Sequence, residues 1–178
     1  SDLQAVTTSA VKDGNHYRIN GSKTFITNGQ SADLICLVAK TDKEQSARGV
    51  SLIMVETDGL EGFRRGRNLK KIGLKSQDTS ELFFDNVKVP QTHLLGTEEG
   101  QGFYQLMKQL PWERLYIGIT ALGSMDCALE ETTRYVQERK AFGQRVMDFQ
   151  NTRFKLAEIK TKIEVTRSFI NDAITRLE

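Results

Sequence analysis

"AVTTSAVKDGNHYRINGSKTFITNG", residues 5 to 29, indicates the fold of the first half of the chain. Apolar and polar residues alternate along this stretch, which is the pattern of half-buried β-strands. The pairs Asp13-Gly14 and Asn20-Gly21 lie between alternating segments and favour the tight turns of β-hairpins. We therefore expect antiparallel strands here, with one hairpin at each pair.

Strand-like runs continue to about residue 98. "ADLICLVAK" and "GVSLIMVE" are continuous apolar runs of strand length, and "KKIGLKSQDTSELFFDNVKVP" predicts two or three further strands that end at Pro90. Six to eight short strands without a helical period between them predict an antiparallel barrel or sandwich.

The periodicity becomes helical after Gly102. The apolar positions of the first helical stretch are Phe103, Leu106, Met107, Leu110, Leu115, Ile119, Leu122 and Leu129. A second long helix is expected from near Asp148. Its apolar stripe comprises Leu156, Ile159, Ile163, Ile170, Ile174 and Leu177. Two helices cannot bury such stripes alone, so we expect partners from missing residues or another subunit.

The composition is average for a globular protein, with 38% hydrophobic residues, 27% charged residues and a formal net charge of +2. Both charge signs are mixed along the chain, which argues against nucleic-acid binding. The apolar runs are too short to cross a bilayer, and no signal peptide is visible. Because the chain opens "SDLQAV" without a starting Met, we expect it to be part of something longer.

The cysteines and histidines predict neither a disulfide framework nor a metal site. Cys36 lies in the apolar run "DLICLVAK" and Cys127 in a helical stretch, so both are expected to be buried thiols. The two histidines, His16 and His93, have no metal-ligand spacing.

Glu113 and Arg114 are adjacent in "KQLPWERLYIG", residues 108 to 118. The structural interpretation is a helix start, with Pro111 in the first turn and the acid at the positive end of the helix dipole. The functional interpretation is a catalytic carboxylate.

Two other motifs are unusual. "GSKTFITNG" has the structural interpretation of a strand with Phe25 and Ile26 packed inward, followed by a turn at its Asn-Gly pair. The structural interpretation of "YVQERKAFGQ" is a helix end. Arg139 and Lys140 would lie in the last turn, and Gly143 would follow it directly. Each motif alone is of modest specificity. In this order, with "ELFFDNVKVP" and "PWER" between them, they are highly specific.

On these motifs the chain resembles acyl-CoA dehydrogenases over all 178 residues. It looks closest to the long-chain subgroup, judged by "GFYQLMKQLPWERL", "GLKSQDTSELFF" and "QERKAFG". The resemblance implies an α+β fold. Residues 1–98 would be the antiparallel β-barrel-like middle domain, and residues 99–178 the first long helices of an incomplete four-helix bundle.

The resemblance implies FAD as the cofactor. Phe25 would pack on the flavin, where many members have Trp, and the Thr27 hydroxyl would bind near N5 with the Ile26 backbone alongside. Ser1 matches the last residue of a turn close to both the flavin pyrophosphate and the acyl-CoA.

Arg139 would pair with the pyrophosphate of FAD held by the neighbouring subunit, with Phe142 and Gln150 near the AMP half. A guanidinium suits this role because its fork matches phosphate oxygens. The family is usually a homotetramer, a dimer of dimers.

The resemblance favours Glu113 as the base and Arg114 as a substrate contact. Glu113 would remove the α-proton of a fatty acyl-CoA while hydride passes to flavin N5, giving the trans-2-enoyl-CoA. The resemblance to the long-chain subgroup implies a long-chain substrate. Electron-transfer flavoprotein would accept the electrons of this β-oxidation step, in the bacterial cytoplasm or mitochondrial matrix. The alternatives are an acyl-CoA oxidase, a flavin monooxygenase or a non-catalytic scaffold of the same fold; the joint presence of the motif residues argues against the scaffold.

Overall fold

The structure of the protein is a computed structural model that describes residues 2 to 177. A six-stranded sheet forms most of its first half. The strands are β1 Ser9–Asp13, β2 His16–Thr27, β3 Leu34–Lys40, β4 Val50–Glu56, β5 Phe63–Asn68 and β6 Thr79–Pro90. Their order in the sheet is β4-β3-β1-β2-β6-β5. Two compact units divide the chain, the first ending at Lys108 and the second beginning at Gln109.

Strand pairing is antiparallel, as expected, except between β1 and β3, which meet in parallel at Ser9 and Lys40. The hairpin expected at Asp13-Gly14 is confirmed, since Asp13 pairs with His16 across the turn. Gly14 takes the left-handed φ of 58° that such a turn requires.

The hairpin expected at Asn20-Gly21 is wrong, because β2 continues through this pair. The ladder to β6 shifts register between Ile19 and Gly21, and the Asn20 side chain accepts a 2.8 Å hydrogen bond from the Asn86 backbone amide. The dipeptide therefore stabilises an irregularity in the ladder rather than a turn.

The strands around residues 60 to 90 also differ from expectation. The segment expected to form two or three strands contains one long strand, β6, preceded by turns and bends. The charged sequence "FRRGRN" forms β5, which stands at the end of the sheet order. An edge strand has less apolar surface to bury, so hydrophobic alternation did not predict it.

One face of the sheet builds the core. Its buried side chains are Ala10, Tyr17, Ile19, Leu37, Ala39, Ile53, Val55, Leu82, Phe84, Val87 and Val89. They alternate with outward residues along the central strands, as a pleated sheet requires.

Two long helices follow, α1 Gly102–Glu138 and α2 Gln150–Leu177. The switch from strands to helices is as expected, which confirms the α+β class. A helix start at Pro111 is wrong, because Pro111 lies inside α1 and Glu113 is beyond the first turn. Among the residues described, neither helix is long and apolar enough to cross a membrane.

The helices pack through the middle of their stripes. Leu122, Ile163 and Ile170 are buried, while Leu115, Ile119, Leu129 and Ile174 pack against them. Ile159 is 44% exposed, so the stripe on α2 is only partly covered.

Both cysteines are exposed, so the expectation of buried thiols is wrong. In β3 the buried hydrophobic residues are Leu37 and Ala39, which places Cys36 on the other face of the pleat. Cys127 lies on α1 outside the face that packs on α2. Continuous apolar character predicted burial on every side, whereas at Cys36 and Cys127 β3 and α1 are covered within this chain only on the opposite side.

Candidate active site

Phe25 projects from β2 at an interruption of the strand. Between Lys23 and Ile26, β2 contributes one residue more than β6, so the pairing shifts at a bulge. Phe25 has a φ of 63° and is 76% exposed, which corrects its expected inward packing. A left-handed bulky residue costs about 1–3 kcal/mol, and such strain clusters at binding sites.

Ile26 and Thr27 complete this segment with opposite burial. Ile26 is half-buried and packs against the sheet core, as expected. Thr27 is exposed at the end of β2, paired with Thr79. Together with Phe25 they offer an aromatic face, a hydroxyl and backbone groups, which suits a planar heteroaromatic ligand.

Sequence reasoning missed two residues beside this segment, Arg65 and Asp78. The Arg65 guanidinium donates to the carbonyls of Gly29 and Ala32 in the turn after Thr27. The Asp78 carboxylate accepts from the backbone amide of Gln30 in the same turn. One arginine in a charged strand and one aspartate in a polar loop carried no signal that could have identified them.

Glu113 and Arg114 are both exposed on α1. Adjacent helical residues project about 100° apart, so the two side chains do not face each other. Among the described residues, no hydrogen bond or ion pair engages the Glu113 carboxylate. An unpaired carboxylate on a rigid helix is free to accept a proton.

Arg139 follows the last residue of α1 and is held by its backbone. Its amide donates to the Tyr135 carbonyl at 2.8 Å, and its carbonyl accepts from Val146 at 2.8 Å. The Arg139 side chain is exposed. Among residues 2 to 177 it joins no ion pair, so its charge is available to an anion.

A two-residue hairpin presents Phe142 next to Arg139. Strands β7 Lys140–Ala141 and β8 Gln144–Arg145 pair across Phe142 and Gly143, whose φ values are 53° and 80°. The interpretation of Gly143 as a helix-end residue is therefore wrong. The Phe142 ring is 96% exposed. It lies edge-on to Phe149 at 6.4 Å between ring centroids.

The residues singled out from sequence thus fall into three groups: Phe25 to Thr27, Glu113 with Arg114, and Arg139 with Phe142 and Gln150. Gln150 is exposed at the start of α2. Ser1 lies outside the described residues. At 1.5 Å per residue, Glu113 and the end of α1 are roughly 37 Å apart along the helix. One chain therefore does not bring Glu113 and Arg139 to the same reacting atoms.

Both units of the chain match models of one protein family. Residues 1–87 match the middle domain of acyl-CoA dehydrogenases, and residues 100–178 match their C-terminal domain. The chain is 51% identical over 176 residues to the long-chain specific acyl-CoA dehydrogenase of Sus scrofa mitochondria, covering 98% of this chain and 40% of that protein. It is 38% identical over 172 residues to the isovaleryl-CoA dehydrogenase of Pongo abelii mitochondria, covering 96% and 40%.

A solved structure shows the same fold. The acyl-CoA dehydrogenase from Geobacillus kaustophilus superimposes with a TM-score of 0.94 at 50% identity, covering 98% of this chain and 46% of that one. The chain spans about two fifths of the length of the curated relatives it matches. With both of its units matched by one family, this chain belongs to the acyl-CoA dehydrogenase family.

Proposed function

We propose that the protein is an oxidoreductase that oxidises a fatty acyl-CoA, of long chain by its similarity, to the trans-2-enoyl-CoA. The observation that carries the proposal is the unpaired, exposed Glu113 carboxylate on α1 of a chain half identical to long-chain acyl-CoA dehydrogenases. This step belongs to fatty acid β-oxidation.

The cofactor proposed is FAD, and the exposed groups of this chain fit it. The Phe25 ring offers a stacking surface and Thr27 a hydroxyl, both outside the sheet core. The unpaired Arg139 guanidinium suits a pyrophosphate. When bound, FAD accepts the hydride that leaves the β-carbon of the substrate.

Glu113 removes the α-proton in this proposal. A carboxylate positioned at the α-carbon acts as a general base toward this proton. Arg114 contacts the substrate from the next helix position. Because both side chains project from one helix, substrate contact and proton acceptor have a rigid common support.

Arg139, Phe142 and Gln150 serve the FAD of a neighbouring subunit in the proposed homotetramer, a dimer of dimers. The distance along α1 supports this arrangement, since Arg139 cannot reach atoms near Glu113 of its own chain. We further propose that Ser1 contacts both FAD and acyl-CoA and that the β-domain comprises residues 1–98. The electron acceptor proposed is electron-transfer flavoprotein, in the bacterial cytoplasm or mitochondrial matrix.

Flavin absorbance of the intact protein tests the function directly. Anaerobic addition of a long-chain acyl-CoA should bleach the flavin. Glu113→Gln should still bind FAD and substrate but reduce its flavin roughly 10²–10⁴-fold more slowly, because Gln cannot accept the α-proton.

Glu130→Gln is the matched control, since Glu130 is also an exposed acid of α1. Near wild-type reduction in Glu113→Gln would assign the base to another residue. Absence of bleaching in the wild type would remove the dehydrogenase proposal, and rapid reoxidation of reduced flavin by oxygen would favour the oxidase.

A further inference from the structure

The turn at residues 28 to 32 directly follows the exposed segment from Phe25 to Thr27. The Gly29 amide donates back to the Ile26 carbonyl at 3.3 Å, and within the turn the Ala32 amide donates to the Asn28 carbonyl at 2.8 Å. Asn28 has a φ of 59° and Phe25 one of 63°, so left-handed backbone occurs at both ends of the segment from Phe25 to Asn28. Such a segment keeps its shape only when surrounding contacts determine it.

Arg65 supplies contacts of this kind from β5. Its Nε donates to the Gly29 carbonyl at 3.2 Å, and one Nη donates to the Ala32 carbonyl at 2.8 Å. One planar group therefore ties the two sides of the turn together. A guanidinium reaches such a pair of acceptors with fixed geometry, which a lysine ammonium does not.

The Arg65 guanidinium is itself held in place. The same Nη donates to the hydroxyl of buried Thr57 at 2.9 Å, and the guanidinium lies 5.4 Å from the centre of the Phe63 ring. Within residues 2 to 177, no carboxylate forms an ion pair with Arg65. Two of its three hydrogen bonds therefore go to the turn, and the third goes to Thr57.

Asp78 holds the same turn from the start of β6. Its carboxylate accepts from the Gln30 amide at 3.0 Å and from the Ser31 hydroxyl at 3.1 Å. Its backbone carbonyl accepts from the Asn28 amide at 3.2 Å. These contacts hold residues 28 to 31, whereas Arg65 joins Gly29 to Ala32, the last residue of the turn.

We propose that Arg65 is a positioning residue for the cofactor contact, an inference that rests on the proposed function. Arg65 does not touch the flavin in this account. It fixes the turn at residues 28 to 32. This turn then holds the preceding bulge, which exposes Phe25, and the end of β2, which presents Thr27.

Three variants of the intact protein test this role. Arg65→Met should speed amide hydrogen exchange in residues 28 to 32, change the visible circular dichroism of bound FAD and raise the Kd for FAD about 10-fold. Arg65→Lys should restore part of each effect. Arg64→Met is the matched control, because it removes the same charge from the neighbouring, exposed position of β5, where the guanidinium stacks on Phe83.

The outcomes separate this inference from the proposed function. If wild-type protein binds FAD and Arg65→Met matches Arg64→Met in exchange and flavin spectrum, the positioning role is overturned while the proposed function stands. An equal loss of FAD affinity in both variants also overturns it, since charge alone would then explain the effect. A wild-type protein without FAD overturns the proposed function itself, and the flavin part of this inference with it.

Discussion

Gly21 illustrates how a single residue decides the course of a strand. Its φ of 143° is available to glycine but strained for other residues. A Cβ at this position would lie 2.7 Å from the Cα of Thr8, so the two backbones approach too closely for any side chain. Glycine therefore serves here to admit a neighbouring backbone, and not to form the turn that Asn-Gly usually indicates.

This close approach predicts a large cost for Gly21→Ala. Strain and overpacking together should lower the free energy of unfolding by about 2–5 kcal/mol. The control is Gly14→Ala, at a φ of 58° with no heavy atom within 4 Å of the added Cβ. Left-handed strain alone should cost the control about 1–2 kcal/mol. Urea unfolding of both variants measures the difference, and equal costs would contradict the close approach.

At the scale of an element, α1 shows how tertiary context overrides a local signal. Pro111 lacks an amide and cannot donate to the carbonyl of Met107, yet the helix continues to Glu138. The division between the two units falls between Lys108 and Gln109, less than one turn before the proline. Packing of the long apolar stripe after Pro111 outweighs the missing hydrogen bond.

The ion pair between α1 and α2 predicts a pH dependence. Arg167 donates two hydrogen bonds to the Asp126 carboxylate, at 2.6 and 2.8 Å, and these hold the pKa of Asp126 below its ordinary value. A lowered folded-state pKa stabilises the folded state above the unfolded pKa of about 3.9, and the contribution is lost as pH falls through the folded pKa.

Asp126→Asn should therefore lower the thermal unfolding midpoint at pH 7. The difference in unfolding midpoint between this variant and the wild type should shrink as the pH falls below about 4. Asp172→Asn is the control, because Asp172 pairs with Arg176 within α2 and does not link the helices. A difference from wild type that persists at low pH would mean that the Asp126 carboxylate does not act through its charge.

At the scale of the whole molecule, the two helices expose several large apolar side chains. Tyr116, Ile117, Phe154, Val165 and Phe169 are each 64% to 70% exposed. An open groove of about 810 Å³ between α1 and α2 is lined partly by apolar side chains, among them Leu129, Met147, Leu156 and Ala157. These surfaces support the proposal of a helical bundle completed by further helices and subunits.

The proposed assembly predicts that Arg139 couples FAD retention to subunit contact. In the intact protein, Arg139→Gln should weaken FAD binding roughly 10- to 150-fold, the effect of losing one charge-assisted hydrogen bond. Arg134→Gln is the control, because Arg134 forms only an exposed pair with Glu131 on α1. The rise in flavin fluorescence as FAD dissociates on dilution measures FAD retention in both variants. Equal retention would rule out the contact across the subunit boundary.

The sequence by itself determined the class of the fold and the motifs of the site. Alternation up to about residue 98 and a helical period after Gly102 predict strands followed by helices, because periodicity reports which face of an element is buried. The turn at Asp13-Gly14 was predictable because its signal is local. Glu113, Arg114 and Arg139 are proposed as site residues from their motifs, which can be recognised without geometry.

Only the tertiary structure decided what depends on residues distant in the chain. Asn20-Gly21 locally favours a turn, but pairing with β6, more than sixty residues later, selects the strand. The inward packing expected for Phe25 fails because the ladder to β6 shifts register there. The positions of Cys36 and Arg65 likewise depend on which strand lies alongside and which face is covered. Local sequence encodes dihedral preference and periodicity, whereas the partner across a sheet is chosen by packing of the whole unit.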